Sequence, residues 1–246
     1  KKIMEEKRKE DDLKEARDLQ MSLLAKENPL RKDLDISTYI RSSTEVGGDY
    51  YDFIELKDGS LLVICGDATG HGTASGMMVS ITKAGLLGIN SKDPDLILKN
   101  LNTIIKKVDI GRLRMSLNLI HFKNGSIRAS SAAMPPIYHY EKINKKVDEI
   151  QISNLPLGGL MNENFKVINK KFSKDDVIVM ISDGLPEAPN RAGELLDYKL
   201  VKECIQKNSY KTAEEIKDDL VDLSYKWLDG IQNPDDITIV VCKKKI

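Results

Sequence analysis

Excess charge of either sign, paired cysteines and long apolar runs are all missing from this sequence. Its 246 residues carry 38 Lys and Arg against 38 Asp and Glu, a formal net charge of zero. Proteins that grip nucleic acid through its phosphates usually carry a basic excess, so that class is disfavoured. The three cysteines, Cys65, Cys204 and Cys242, are far apart and show no CxxC spacing. That argues against a disulfide framework or a zinc cluster, and they read as small hydrophobes in a reducing compartment. No stretch of 18 apolar residues occurs, so no segment is expected to span a membrane. The opening KKIMEEKRKE lacks the apolar core of a secretory leader, and the cytoplasm is the expected location. The chain begins with Lys1 rather than Met, as a piece of a longer protein would. Aromatics make up only 5%, but a hydrophobic content of 41% is enough to bury a core.

Glycine and proline are absent before Pro29, and good helix formers dominate there. Residues 1–27 are therefore expected to be helical, with Leu13, Ala16, Leu19, Leu23 and Leu24 as an apolar stripe. The run EEKRKEDD has no apolar residue, so a regular heptad is not sustained. Such a helix would join the domain to an upstream sensor or regulatory module, or to a second copy of the chain. Residues 1–33 are assigned to this linker, and residues 34–246 to one domain.

From residue 34 the texture is that of short strands. ISTYIRS, YYDFIEL and LLVICGD are β-branched or aromatic runs, with a hairpin signal at Asp58-Gly59. Helices are expected at about 73–87 and 93–108, the second with Asp93 as cap and Pro94 in the first turn. RMSLNLIHF and SIRASSAAM form a hairpin around Asn124-Gly125. IYHYEKI, VDEIQIS, FKVINKKFS, VIVMISDG and ITIVVCKKK read as further strands. About 195–229 reads as helical, with a Thr212 cap and Glu215 three residues on. Strands and helices do not alternate strictly, which disfavours a doubly wound parallel sheet. The expected class is α+β: two stacked antiparallel sheets flanked by helices.

Four acidic spots share one pattern. Asp49 follows Gly47-Gly48; Asp67 ends LLVICGD; Asp183 ends VIVMISD; Asp235 and Asp236 open the last strand. Alone, each is an ordinary turn or cap residue. Together they place carboxylates at the ends of apolar strands, with no regularly placed cation beside them. Buried carboxylates must be neutralised, and oxygen-only ligation suits Mg²⁺ or Mn²⁺ rather than zinc. Two such ions would bridge a water and clamp a phosphoryl group.

The runs EVGGDYYDF, GDATGHG, LPLGG, ISDGLPEAPN and DDITIVV, in this order and spacing, resemble the metal-dependent PPM-type (type 2C) serine/threonine phosphatases, in particular their SpoIIE-like and RsbU-like bacterial branch. The resemblance covers about residues 34–246, and LKEARDLQMSLLAKENP is similar to the helix that precedes the domain there. It implies two Mn²⁺ or Mg²⁺ ions and a bridging hydroxide that attacks phosphoserine or phosphothreonine on a regulatory protein, such as an anti-sigma-factor antagonist. It implies that Asp67 bridges both ions and that the Ala68 carbonyl ligates the second. Asp183 and Asp235 would be further ligands of the first ion, with Asp236 in place of Asp235 if the register shifts by one. Asp49 would act directly or through a water. Catalysis would depend on Asp67 and Asp183.

Two departures stand out. Met134 lies where the branch often has a histidine in an Asn-Ala-Gly-His-Pro-Pro-like run. His71 follows Asp67 by four residues, and its expected role is a structural hydrogen bond at a helix start. His121 and His139, in strand-like runs, are also read as structural, and Arg41 as a solvated strand residue rather than a phosphate grip. Glu187 has no assigned role. A catalytically silent module of the same fold would be expected to lack one of the carboxylates, and all are present.

Overall fold

The computed structural model describes residues 2–70 and 72–246; the reading of His71 falls outside them. The elements run α1 (Lys2–Leu23), β1 (Leu34–Arg41), β2 (Asp49–Glu55), β3 (Leu61–Ala68), α2 (Thr73–Gly88) and α3 (Pro94–Val108). They continue with β4 (Met115–Lys123), β5 (Ser126–Ala132), β6 (Ile137–Glu141), β7 (Lys146–Ile150), β8 (Ile168–Lys171) and β9 (Val177–Ile181). The last three are α4 (Tyr198–Asn208), α5 (Ala213–Leu228) and β10 (Ile237–Lys244). One sheet has the order β1-β10-β9-β6-β7 and the other β2-β3-β4-β5-β8. All pairings are antiparallel, as the α+β reading expects.

The period-2 alternation of strand side chains builds the layers. On β3, Leu61, Val63 and Cys65 face the other sheet, where Ile178 and Met180 of β9 and Val240 and Cys242 of β10 meet them. The intervening Leu62 and Ile64 pack under α2 and α3. On the far side, Val179, Ile181, Ile239 and Val241 pack under α4 and α5. The result is helix, sheet, sheet, helix, with three apolar layers between them.

Local chemistry sets the boundaries. The β4–β5 hairpin turns at Asn124 and Gly125, with φ of 47° and 69°, the left-handed pair that such a turn demands. Thr212 and Glu215 form a complete capping box. That cap, expected within the helical stretch of about 195–229, starts α5, and a turn separates it from α4. Asp93 occupies the cap position of α3, but its carboxylate makes no cap bond; it pairs with Arg128 on β5 instead. The first helix ends at Leu23, four residues short of the expected 27. Its contact face also differs: Leu13 and Leu19 are exposed, while Gln20 is buried.

Candidate metal centre

The inter-sheet face of β3 reads Leu61, Val63, Cys65 and then Asp67, so the same alternation that buries the apolar residues carries a carboxylate to the strand's end. Asp49 is its cross-strand partner on β2. From the other sheet, Asp183 follows β9, and Asp235 and Asp236 precede β10. The polar residues Ser182 and Thr238, both fully buried, continue the inter-sheet layer from these strands. The apolar sandwich thus ends in oxygen atoms at one pole. A cavity of about 620 Å³ lined by Glu55, Asp58, Asn90 and Asp93 lies toward the opposite end of β2 and β3, so cavity size does not mark this site.

Glycines let the backbones close in. A Cβ on Gly48 would stand 2.6 Å from the Ala68 carbonyl oxygen and 3.0 Å from Asp67 Oδ1. On Gly184 it would stand 1.9 Å from the Asp236 carbonyl oxygen. Neither neighbour can retreat without breaking a strand end, so only glycine fits.

The five aspartates are not equivalent. Asp236 is buried and already committed: Oδ1 accepts from the Ser43 amide at 2.6 Å and its hydroxyl at 3.0 Å, and Oδ2 accepts from the Gly48 amide at 2.6 Å. It clamps the 43–48 loop. Asp235 is exposed, and its Oδ1 accepts only from the Asp236 amide. Asp49 is buried, and its Oδ2 accepts from the Ser182 hydroxyl at 2.7 Å. Asp67 and Asp183 are half-buried.

Electrostatics couple them. Burial pushes Asp67 up to about 8, with Asp183, Asp235 and Asp236 adding repulsion. Burial, then the charge of Asp67, drives Asp49 well above the usual carboxylate range, against the hydrogen bond from Ser182. Asp183 is raised by burial, then by Asp235 and Glu187, which gives Glu187 an electrostatic part. Among the described residues none of these carboxylates has an ion-pair partner, whereas Asp52, Asp58 and Asp93 each hold a lysine or arginine. Crowded, uncompensated carboxylates are a donor set for a cation. Among the described residues no three His, Cys, Asp or Glu side chains stand close enough together to hold an ion as they are placed.

The remaining sequence candidates lie apart from this chemistry. Met134 is buried between the sheets. The His121 ring pairs with the Ser60 hydroxyl at 2.8 Å, and His139 is fully buried. The Arg41 guanidinium sits over the Tyr225 ring, 5.4 Å from its centroid, so Arg41 is held on the β1–α5 surface. Sequence reasoning missed Ser43, Ser182 and Gln20. The Gln20 amide reads the Gly47 backbone both ways: Nε2 donates to its carbonyl at 2.5 Å and Oε1 accepts from its amide at 3.0 Å. For Ser182 the signal was present, as the next inward position after Ile178 and Met180.

An αββα sandwich with a carboxylate pole between its sheets defines the class of PP2C-type phosphatase domains. The family model described as stage II sporulation protein E (SpoIIE) matches residues 57–245, and the chain belongs to that family. It is 26% identical over 236 residues to phosphoserine phosphatase RsbU of Bacillus subtilis, spanning 94% of this chain and 69% of that protein. The SiaA PP2C domain of Pseudomonas aeruginosa superposes with a TM-score of 0.84 at 18% identity, over 97% of this chain and 98% of that one. The SpoIIE phosphatase domain of Bacillus subtilis with a fragment of its regulatory domain gives 0.69 at 23% identity, over 88% and 64%. A structure of RsbX in complex with magnesium gives 0.66 at 16% identity, over 88% and 98%.

Proposed function

We propose that this domain removes phosphate from phosphoserine or phosphothreonine on a regulatory protein, using two Mn²⁺ or Mg²⁺ ions held by Asp67, the Ala68 carbonyl, Asp183 and Asp235. The reaction class, protein phosphatase, follows from the family. The observation that carries the site assignment is the placement of Asp67, Asp183 and Asp235 at one pole of the two sheets, with no ion-pair partner among the described residues. When bound, the ions supply Lewis acidity: they acidify a coordinated water and neutralise the phosphoryl group's charge. The chain's own part is preorganisation. Asp67, at the end of β3, joins the two sheets' contributions. Asp49 lies behind it, oriented by Ser182. Asp236 is read as the loop clamp, because its oxygens are spent on Ser43 and Gly48, which leaves Asp235 as the ligand.

Residues 1–33 are read as a linker helix to an upstream regulatory domain, with pairing of two copies as the other arrangement open to it. The Gln20–Gly47 contact supports a link between this helix and the centre, because Gly48 next to it touches Asp236 and Ala68.

The test is hydrolysis of p-nitrophenyl phosphate and a phosphoserine peptide with Mn²⁺, Mg²⁺ or EDTA, beside Asp67→Asn and Asp183→Asn. Release that needs metal and is lost in both folded variants is the expected result. Full metal-dependent activity in either variant would sink the assignment.

A further inference from the structure

The run LPLGG, residues 155–159, has no part in the metal centre, yet the fold sets it close by. Leu157 and Met115 exchange backbone hydrogen bonds at 2.8 and 3.1 Å. The preceding residue, Arg114, is bonded on both sides to Thr69, two residues beyond Asp67: its amide donates to Thr69 Oγ1 at 2.9 Å and its carbonyl accepts from the Thr69 amide at 3.0 Å. The loops 109–114 and 155–161 therefore form one ledge beside the carboxylate pole.

This ledge is rigid. Buried Asn102 accepts from the Gly158 amide at 2.7 Å and donates to the Leu160 carbonyl at 2.8 Å. Lys106 Nζ donates to the Gly159 carbonyl at 2.9 Å. Arg114 Nη1 donates to the Leu113 and Gly111 carbonyls at 2.7 and 3.0 Å. Gly158 has φ of +82°, and a Cβ there would stand 2.8 Å from Ile105, so the turn admits only glycine.

The ledge presents apolar side chains next to the carboxylate pole. Leu155, Leu160 and Met161 are 43%, 61% and 44% exposed, held out by fixed backbone. Arg112 is exposed, and among the described residues neither it nor Arg114 has an ion-pair partner. Apolar anchors beside an unpaired arginine fit a protein chain carrying both apolar and acidic residues.

We propose that this ledge is the docking surface for the protein substrate, and that it selects phosphorylated segments in which carboxylates and an apolar side chain flank the phosphoserine. The inference rests on the phosphatase reading. It assigns the ledge to selection and not to the chemical step, so its effect falls on KM.

The test uses two phosphoserine peptides identical except for their flanks, Glu and Leu in one, Lys and Leu in the other. p-Nitrophenyl phosphate with Mn²⁺ is measured in the same preparations as the reference for active protein. The acidic peptide is expected to be preferred roughly fivefold in kcat/KM, the upper range for exposed charge pairs. The preference should shrink as ionic strength rises from about 0.1 to 1 M, where the screening length falls from about 10 to 3 Å. Arg112→Glu should remove it and Arg112→Lys keep it, and Leu160→Ser should raise KM for both peptides relative to the small ester. Equal kcat/KM for the two peptides, or preference for the lysine flanks, with the small ester still hydrolysed, would overturn the docking proposal and leave the phosphatase reading intact. No hydrolysis of any of the three by the wild-type chain would overturn both.

Discussion

The Ser182 hydroxyl donates to Asp49 Oδ2 at 2.7 Å and accepts from the Thr238 amide at 2.8 Å. Both partners are buried, so Ser182→Ala strands a carboxylate oxygen and a backbone N–H. A stranded buried polar group costs about 1–3 kcal/mol. Because Asp49 lies behind the proposed ligand Asp67, loss of the hydroxyl that orients it should weaken metal affinity about 10-fold or more, as loss of an outer-shell partner does. Calorimetric Mn²⁺ titration beside urea unfolding measures both effects; unchanged affinity would show that Asp49 needs no orienting. His139 gives the pH prediction. Its ring is fully buried, both nitrogens lack hydrogen-bond partners among the described residues, and Glu141 and Asp176 stand 3.7 Å away. Burial outweighs these carboxylates and holds the imidazole below its ordinary 6.5. The unfolded chain then binds the proton first, so this contribution to stability is present above pH 6.5 and is lost as pH falls below it. The raised Asp49, Asp67 and Asp183 act in the opposite sense, costing the metal-free fold stability as pH rises. The difference in urea midpoint between wild type and His139→Gln, measured from pH 8 to 5, isolates the imidazole. A pH-independent difference would refute its buried neutral state.

Helix α2 is fastened to β2 by one ion pair. Lys83 Nζ reaches Asp52 Oδ2 at 2.5 Å, and the same oxygen accepts from the Tyr50 hydroxyl at 2.7 Å. Asp52 is buried, so Lys83→Met should cost about 3 kcal/mol, the lower end for breaking a buried pair, because Tyr50 and the Phe53 amide still serve the carboxylate. Chemical denaturation of the variant measures this, and a loss under about 1 kcal/mol would mean that the pair is solvated. Gly184→Ala should be more severe than typical overpacking, which costs about 1–3 kcal/mol, since its Cβ meets backbone at 1.9 Å. Elements like these also decide what could be read in the sequence. Strand runs and the Asn124-Gly125 turn were legible because their signals are local: alternation and left-handed φ. The five aspartates were legible because glycines and apolar runs flank them. Gln20 was not, since its role comes from a loop 27 residues away. Nor was the choice between Asp235 and Asp236, because adjacent residues share every sequence context and differ only in which one the Ser43–Gly48 backbone captures. The Thr212–Glu215 capping box inside 195–229 was legible because its signal is local too, whereas the end of α4 at Asn208 carries no such mark.

At the scale of the molecule, relief of carboxylate repulsion should appear as stability. An ion that binds only the folded chain, at 100 times its Kd, adds about 2.7 kcal/mol. For a chain near this length, each kcal/mol raises Tm by roughly 2–4 °C. Mn²⁺ should therefore raise the melting temperature by several degrees, EDTA should reverse it, and Asp67→Asn should blunt it. A Tm indifferent to metal in the wild-type chain would contradict a cation site at this pole.

β10 lies at the centre of its sheet, between β1 from the beginning of the domain and β9. During synthesis, β2, β3, β4, β5 and β8 are all complete by residue 171 and can assemble while translation continues. The other sheet cannot, because β1 waits for a partner more than 190 residues downstream, and until it arrives β1 and β9 are open edges, the kind that invite pairing with other chains. A ribosome that stops before residue 235 therefore releases a chain with one finished sheet, an unpaired β1 and an open edge on β9. It also lacks Asp235 and Asp236, so an aborted product carries an incomplete carboxylate pole.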